Sequence, residues 1–325
     1  MNADVRHCLS RGAAVLALLL ALAAAACGGS DDDSGAGAGT TQAVDDAPLV
    51  ATAPCEGWHV ETLAEGLGAV ENALVLGDGA VLLSLAERGQ VARLGDDGAV
   101  TPVVEGLTAP GGLASDGESA YVTTGLTVDA TIGGVASGTI VRFDPATGEH
   151  ETWATGLVSP NGLAMLPDGG AVTTRTASGG ATPAEVTRVS GDDPAEVDLL
   201  WSDVTSTNGV VLAPDGAAVY VTRSLADRAE VRRLPLDDPA GGDVVADLGA
   251  GSEVFLDDVA ASDDGTLYAA AFAEGAAYRI DPDTGDACVL AGGLPGTTSV
   301  EVGADGRSLI ATSQRGTVSA LRPPA

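Results

Sequence analysis

The sequence predicts an all-β protein, a six-bladed β-propeller whose last blade is closed by the N-terminal strand. One observation is a motif of an apolar strand and an Asp-Gly turn that occurs six times, at intervals of 40 to 50 residues. Each interval has room for four short strands, which is the period of propeller repeats. In addition, Gly and Pro number 45 and 16 among 325 residues, which favours many tight turns over long helices.

The six copies share an apolar strand that leads into the Asp-Gly hairpin turn. Their first residues are Glu71, Gly111, Asn161, Asn208, Asp257 and Thr298. The copies continue with a second strand, a third strand that carries Arg, and a fourth strand that ends in Gly-Leu. The sixth copy stops after its third strand, and the segment from Trp58 to Leu67 has the features of the missing fourth strand. We therefore expect the N-terminal strand to complete the last blade.

The residues before the propeller have the features of an export signal. Arg6 and Arg11 precede an apolar run from Ala13 to Ala26, which is too short to span a membrane. The run ends at Cys27 after small residues, which resembles a bacterial lipobox; an ordinary secretory signal is the alternative. We predict an extracytoplasmic protein, lipid-anchored to the bacterial cell membrane. Its parts are a lipoprotein signal peptide at 1–26, a lipidated Cys27, a disordered Gly/Ala/Asp-rich tether at 27–52 and the propeller at 53–325.

Two of the four cysteines remain once the signal peptide is removed and Cys27 carries lipid. Cys288 lies in the fourth strand of the fifth copy, next to the closing strand, and Cys55 lies just ahead of that closing strand. Disulfides persist in exported proteins. A Cys55–Cys288 bridge would tie the two ends of the propeller together, and two unpaired thiols are the alternative.

The charge of the chain excludes several classes of partner. Fifteen basic and 46 acidic residues give a net charge of −31. This argues against nucleic acid, which needs a basic surface, and against electrostatic binding to anionic lipid. Every basic residue is Arg, so Schiff-base chemistry and a P-loop are excluded because both need a lysine. We expect a monomer that acts on a small molecule and touches the membrane only through its lipid.

The first strand of each propeller blade lines the central channel, so the six first residues are expected to converge at its mouth. Four of them bring carboxylate or amide oxygens, and none brings sulfur or imidazole: Glu71, Asn161, Asn208 and Asp257. Such a set suits one hard divalent cation, with calcium as the first choice. Asn72 and Asp258 would add oxygens to the cation or support its ligands. Local turn hydrogen bonding is the alternative reason for Asn and Asp at these positions.

These residues resemble the senescence-marker-protein/gluconolactonase (regucalcin-like) family over roughly Val60 to Leu321. The strongest local motif is Asn208-Gly209, followed by Pro214-Asp215-Gly216 and Tyr220-Val221. The pairs Glu71-Asn72 and Asp257-Asp258 are similar to those of paraoxonases and strictosidine-synthase-like proteins, which share the architecture.

The sequence departs from its relatives at three points. Asn72-Ala73 stands where the gluconolactonase pattern has Gly-Pro, and Gly162 stands where it often has Asp. The histidine pair of paraoxonases is missing, because the processed chain has only His59 and His150, both expected in outer strands.

The resemblance implies hydrolysis of a lactone or ester with the help of one divalent cation bound by Glu71, Asn161, Asn208 and Asp257. The cation would polarise the carbonyl and stabilise the oxyanion. Asp257 would also take a proton from the attacking water. The alternative is a water that the cation itself activates, with Asp258 as the base.

Arg175 and Arg223 end second strands, and we expect them to hold an anionic substrate unless they pair between blades or face solvent. The alternative function is a noncatalytic extracytoplasmic propeller that binds a ligand or a protein. A lyase or synthase reaction has no supporting feature beyond the fold.

Overall fold

The computed structural model describes residues 53–177 and 180–324. In these ranges the chain forms six four-stranded antiparallel sheets, arranged as the blades of a propeller. The predicted signal peptide at 1–26, the tether at 27–52 and Cys27 lie outside the described residues. Within the described ranges, no helix combines the length and the apolar character that crossing a membrane requires.

Each sheet is one blade, and its strands run in order from the channel to the rim. The first strand, β1 (His59–Ala64), belongs to the last blade. Blade 1 contains β2 (Val70–Val75), β3 (Val81–Leu85), β4 (Gln90–Leu94) and β5 (Val100–Glu105). Blade 2 contains β6 (Leu113–Ser115), β7 (Ala120–Thr124), β8 (Gly138–Phe143) and β9 (His150–Leu157). Blade 3 contains β10 (Leu163–Met165), β11 (Ala171–Thr173), β12 (Val186–Val189) and β13 (Val197–Ser202).

The remaining blades follow the same pattern. Blade 4 contains β14 (Thr207–Leu212), β15 (Ala218–Arg223), β16 (Arg228–Pro235) and β17 (Asp243–Ala250). Blade 5 contains β18 (Leu256–Ala261), β19 (Leu267–Ala271), β20 (Ala276–Ile280) and β21 (Ala287–Gly292). Blade 6 contains β22 (Thr297–Val302), β23 (Leu309–Ser313), β24 (Val318–Arg322) and β1. Two short helices, α1 (Val128–Gly133) and α2 (Gly251–Val254), lie between strands on the side where the inner strands begin.

The N-terminal strand closes the ring, as predicted. β1 pairs antiparallel with β24 and forms the outer strand of blade 6. Just before β1, Cys55 forms a disulfide with Cys288 of β21, and the Cys55 N–H donates to the Val289 carbonyl oxygen at 2.7 Å. The N-terminal segment is therefore attached to blade 5 before it completes blade 6.

One turn geometry underlies the sequence repeat. In all six copies an Asp Oδ1 accepts a hydrogen bond from the backbone N–H two residues later, at 2.9 to 3.0 Å. The glycine that follows each Asp has a φ between 64° and 95°, a region that disfavours any side chain. The six aspartates are Asp78, Asp116, Asp168, Asp215, Asp264 and Asp305.

Apolar side chains fill the spaces between neighbouring blades. Between blades 4 and 5, for example, Tyr220 and Val231 pack in one cluster with Leu256, Leu267 and Ile280. The two neighbouring blades cover both faces of each sheet. The inner strands are therefore apolar over most of their length and do not alternate between apolar and polar residues. Polar residues in the inner strands are therefore exceptions, and they gather at the channel.

Candidate functional site

A β-bulge interrupts strand pairing at the start of four inner strands. In blade 1, Glu71 is the extra residue between Val70 and Asn72, whose partners in β3 are consecutive. The bulges of the other three blades contain Asn208, Asp257 and Thr298. Bulges redirect side chains and are frequent beside active sites. Three of the four predicted metal ligands are thus residues at which strand alternation is broken.

A left-handed backbone residue lies two positions before the first residue of the repeat copy in four blades. In the described chain, the non-glycine residues with positive φ are Ala109, Ser159, Ser206 and Phe255, with φ between 42° and 58°. They precede Gly111, Asn161, Asn208 and Asp257. Such residues cost on the order of 1–3 kcal/mol each and cluster at functional sites. Backbone strain is therefore located where the chain enters the channel.

The glycines after the two asparagines allow the inner strands to approach each other closely. A Cβ at Gly209 would lie 2.5 Å from the Asp258 Cα, and a Cβ at Gly162 would lie 2.6 Å from the Asn208 carbonyl oxygen. No side chain fits at either place. The Asn-Gly motif, including the departure at Gly162, is therefore a packing requirement of the channel.

Threonine hydroxyls of second strands hold the backbone of the candidate ligands. Thr222 Oγ1 donates to the Asp257 carbonyl oxygen at 2.7 Å and accepts from the Gly209 N–H at 2.8 Å. Equivalent bonds run from Thr123 to the Asn161 carbonyl and from Thr174 to the Asn208 carbonyl. Each of the three bonds to a carbonyl crosses from one blade to the next, so neighbouring blades fix each other's channel residues.

The two predicted carboxylate ligands are buried and interact. Glu71 is 9% exposed and Asp257 is 5% exposed. Burial raises the pKa of Glu71 to about 7. Burial first, and then the nearby Glu71 and Asp258 carboxylates, raise the pKa of Asp257 well above its usual range, although a hydrogen bond from the Asn208 side chain opposes the shift. Two buried acids repel each other when both are ionised, and a cation between them would remove that cost.

The two predicted amide ligands are also buried at the channel. The Asn208 side chain contacts the Asp257 carboxylate, and its backbone carbonyl accepts from the Gly162 N–H at 3.2 Å. Asn161 Nδ2 donates to Thr176 Oγ1 at 2.7 Å, which fixes the amide orientation. Asp257 is therefore hydrogen-bonded to Asn208 and lies near enough to Glu71 for their charges to interact, and Asn161 adjoins Asn208 through the Gly162 backbone.

The residue after each carboxylate belongs to a separate layer of the channel. Asn72 Nδ2 donates to Asp258 Oδ2 at 2.9 Å, and Asn72 Oδ1 accepts from the Leu113 N–H at 3.2 Å. Asn72, Asp258 and Glu301 line a cavity of about 220 Å³ along the inner strands. Burial raises the pKa of Asp258 to about 7, and burial together with Asp258 raises the pKa of Glu301 to about 8. Sequence reasoning missed Glu301, although an acid in the apolar inner strand β22 was a usable signal.

Both arginines predicted to hold substrate have protein partners in the structure. Arg175 is 1% exposed and donates to the Thr131 carbonyl at 2.6 Å and the Ala184 carbonyl at 3.3 Å. It thereby attaches α1 to blade 3. Arg223 forms an ion pair with Glu230 at 2.9 Å. His59 and His150 are exposed and lie in β1 and β9, both outer strands as expected.

A larger cavity, of about 600 Å³, lies where the inner strands of blades 1 and 6 begin, and its lining does not include the four candidate ligands. Its wall includes Ala69, two residues before Glu71, and Phe272, whose N–H donates to the Phe255 carbonyl two residues before Asp257. Gln314 and Arg315, which follow β23 in blade 6, complete that wall. Among the described residues no group of three or more His, Cys, Asp or Glu has an arrangement for a metal ion. The predicted ligands are instead a mixed set of two carboxylates and two amides.

Comparison with known proteins identifies the family. The family model for the SMP-30/Gluconolactonase/LRE-like region matches residues 131–315. The chain belongs to this family. The resemblance predicted from Glu71, Asn161, Asn208 and Asp257 is thereby confirmed. A search of curated protein sequences finds no match.

Several solved protein structures have the same fold. A gluconolactonase from Xanthomonas campestris is 18% identical with a TM-score of 0.66, over 84% of this chain and 91% of that chain. A calcium-binding regucalcin from Agrobacterium tumefaciens is 19% identical with a TM-score of 0.60, over 82% and 97%. An aldose sugar dehydrogenase in its PQQ-bound form, from Streptomyces coelicolor, is 19% identical with a TM-score of 0.64, over 83% and 99%. At such identities the likeness establishes the fold, and the reaction must be argued from the site.

Proposed function

We propose that this member of the SMP-30/gluconolactonase family is a metal-dependent hydrolase of a lactone or ester. One divalent cation, with calcium as the first choice, would be bound by Glu71, Asn161, Asn208 and Asp257. The observation that carries the proposal is the pair of buried, interacting carboxylates, Glu71 and Asp257, in a set of donors made only of oxygen. The structural similarity to a gluconolactonase and to a calcium-binding regucalcin supports the same class.

The residues fit a hard cation. Carboxylate and amide oxygens are the donors that calcium prefers. Among the described residues, neither Glu71 nor Asp257 forms a salt bridge with a basic side chain. Buried carboxylates without a compensating charge are costly, so a cation at this place would stabilise the fold as well as serve chemistry.

The chain's own groups would prepare and complete the hydrolysis. When bound, the cation supplies Lewis-acid polarisation of the substrate carbonyl and stabilises its developing negative charge. Thr222 fixes the Asp257 backbone and Asn208 orients its carboxylate. Asp257 would accept a proton as the water oxygen attacks the carbonyl carbon. The acyl carbon–oxygen bond then breaks, and the alcohol oxygen takes that proton from Asp257. Asp258 is the less favoured base, because its Oδ2 accepts a hydrogen bond from Asn72 in the channel layer that also contains Glu301.

We also propose an extracytoplasmic location with a lipid anchor at Cys27. Support comes from the signal-like sequence before Cys27. The Cys55–Cys288 disulfide agrees with an oxidising compartment.

Calcium titration calorimetry and a panel of lactones and esters test the proposal on the purified protein. Asp257→Asn and Glu71→Gln should each weaken calcium binding at least about 10-fold and abolish or strongly reduce hydrolysis. Asp263→Asn is the matched control, because it makes the same change of charge on an exposed turn. Wild-type calcium affinity in both site variants would contradict the proposal that Glu71 and Asp257 bind a metal.

The same experiment separates the two functions that the sequence leaves open. Calcium binding without turnover of any lactone or ester would favour the noncatalytic binding propeller. A cavity of about 600 Å³ where β2 and β22 begin favours a small-molecule ligand over a protein partner.

A further inference from the structure

The cavity of about 600 Å³ lies between the two buried carboxylates when the ring is followed from blade 5 to blade 1. Its size falls within the range of about 300–1,000 Å³ that is usual for small-molecule sites. Blade 6, between these carboxylates, opens with Thr298, whose Oγ1 is bonded to the Val70 carbonyl at 2.7 Å. Thr298 brings neither a carboxylate nor an amide to the channel, and Pro295 and Gly296 just before it line the cavity.

The turn between β23 and β24 contributes two polar groups without a partner among the described residues. The Arg315 backbone N–H bonds to Ser313, but its guanidinium forms no hydrogen bond or ion pair within the described chain. Gln314 Oε1 is buried and has no hydrogen-bond partner. Gln314 borders the cavity as a residue, whereas the Arg315 guanidinium is the exposed polar group of this turn.

The rest of the lining restricts what that ligand is. Glu87 and Glu274 also border the cavity, and Glu274 accepts a hydrogen bond from the Tyr278 hydroxyl. Carboxylates accept hydrogen bonds from hydroxyl groups but repel another anion. Among the lining residues, Arg315 is therefore the favourable partner for an anionic group of the ligand. Phe272 and Pro295 provide an apolar surface for a carbon ring. The lining therefore suits a ring with hydroxyl groups and one negative charge.

We propose that the cavity binds a hydroxylated lactone that keeps a free carboxylate. Arg315 binds that carboxylate. The lactone carbonyl then lies toward Glu71 and Asp257. This assignment of the substrate class rests on the hydrolase function proposed above, and it makes Arg315 a specificity-determining residue.

Glucarolactone and gluconolactone form a matched pair of probes, because one ends in a carboxylate where the other ends in a hydroxymethyl group. The wild-type protein should have the higher kcat/KM for glucarolactone. Arg315→Gln should lower kcat/KM for glucarolactone about 10- to 100-fold, the value of a charge-assisted hydrogen bond, and leave gluconolactone within about 2-fold. Arg315→Lys should restore part of the loss. Arg307→Gln is the control, since Arg307 is exposed on the turn at the opposite end of β23.

An equal effect of Arg315→Gln on both lactones, or a wild-type preference for gluconolactone, would overturn the proposal. Calorimetric measurement of the binding of glucarate, the hydrolysis product, tests the pocket assignment independently of the hydrolase function. If neither lactone is hydrolysed but glucarate binds and Arg315→Gln weakens that binding about 10-fold or more, the hydrolase proposal fails and the pocket assignment stands. If gluconolactone is hydrolysed while glucarate does not bind, the hydrolase proposal stands and the pocket assignment fails.

Discussion

Without its cation, the protein should lose stability as the pH rises, because acids buried at the channel must then ionise inside the fold. Glu71 has an ordinary pKa of 4.5, and burial raises it to about 7. Below pH 4.5 this group is protonated in the folded and the unfolded protein, so the full stability is present. Between pH 4.5 and about 7 the unfolded chain releases the proton first. The free energy of unfolding therefore falls by about 1.4 kcal/mol for each pH unit over that interval.

The shift at Glu71 corresponds to a loss on the order of 3 kcal/mol once the pH exceeds the folded-state pKa. In a domain of this size each ~1 kcal/mol changes Tm by about 2–4 °C, so Tm should fall by about 6–12 °C. The raised pKa values of Asp257 and Asp258 act in the same direction. Because these two carboxylates and Glu71 repel one another, the three groups titrate together, and their contributions to the loss of stability do not simply add. Calcium should reverse the trend, because it would bind the ionised carboxylates of the folded state.

Thermal unfolding followed by circular dichroism across this pH range, with a chelator or with excess calcium, measures the effect. With chelator, unfolding of Glu71→Gln should release about one proton fewer than unfolding of the wild type. Its Tm should therefore depend less on pH. Glu105→Gln, at the exposed end of β5, should behave as the wild type does. A chelated wild type with the same Tm throughout, or an unchanged slope in Glu71→Gln, would refute the idea that Glu71 ionises at a cost in the fold.

Three further predictions concern residues that hold the ring and its channel together. Replacement of Cys55 and Cys288 by Ser should lower the free energy of unfolding by about 2–5 kcal/mol in denaturant titrations, and an unchanged midpoint would contradict a structural role for the disulfide. Thr222→Val should leave the Asp257 carbonyl without its donor, destabilise the protein by about 1–3 kcal/mol and weaken calcium binding, whereas Thr222→Ser should keep both properties; equal losses in both variants would contradict the hydroxyl's role. Arg175→Met should destabilise by about 2–5 kcal/mol and increase amide hydrogen exchange in α1, because carbonyls lose their donor, and unchanged exchange would exclude that attachment.

The fold was predictable because its signals are local. Each Asp-Gly turn needs only its own neighbours in sequence, and six copies reveal the blade period. Strand starts were harder to predict. Gly111 and Asn161 precede β6 and β10 by two residues, and hydrogen bonds between blades interrupt the regular ladder there. The Gly112 N–H, for example, donates to the Asn161 carbonyl of the next blade at 2.9 Å. Such bonds depend on ring closure and leave no local signal.

The candidate ligands were predictable where residue type and repeat position agree, as for Glu71 and Asp257. The large cavity was not, because Glu87, Phe272 and Arg315 come from turns of three different blades that only the ring brings together. Nor does the sequence indicate that Arg175 is buried, since its partners Thr131 and Ala184 lie in long connections whose paths depend on packing.

The structure concentrates three local irregularities at the same repeat position: a left-handed residue, a bulge and a threonine bond from the neighbouring blade. A repeated frame of this kind fixes where side chains meet and leaves their chemistry to the residue at each blade. Four blades bring oxygen donors, whereas Gly111 and Thr298 bring neither a carboxylate nor an amide. Pro295 and Gly296, which lead into Thr298, line the large cavity together with Ala69, which leads into Glu71. The blade without a carboxylate or amide therefore borders the cavity, and under the proposed function this is the side from which a substrate would reach the donors.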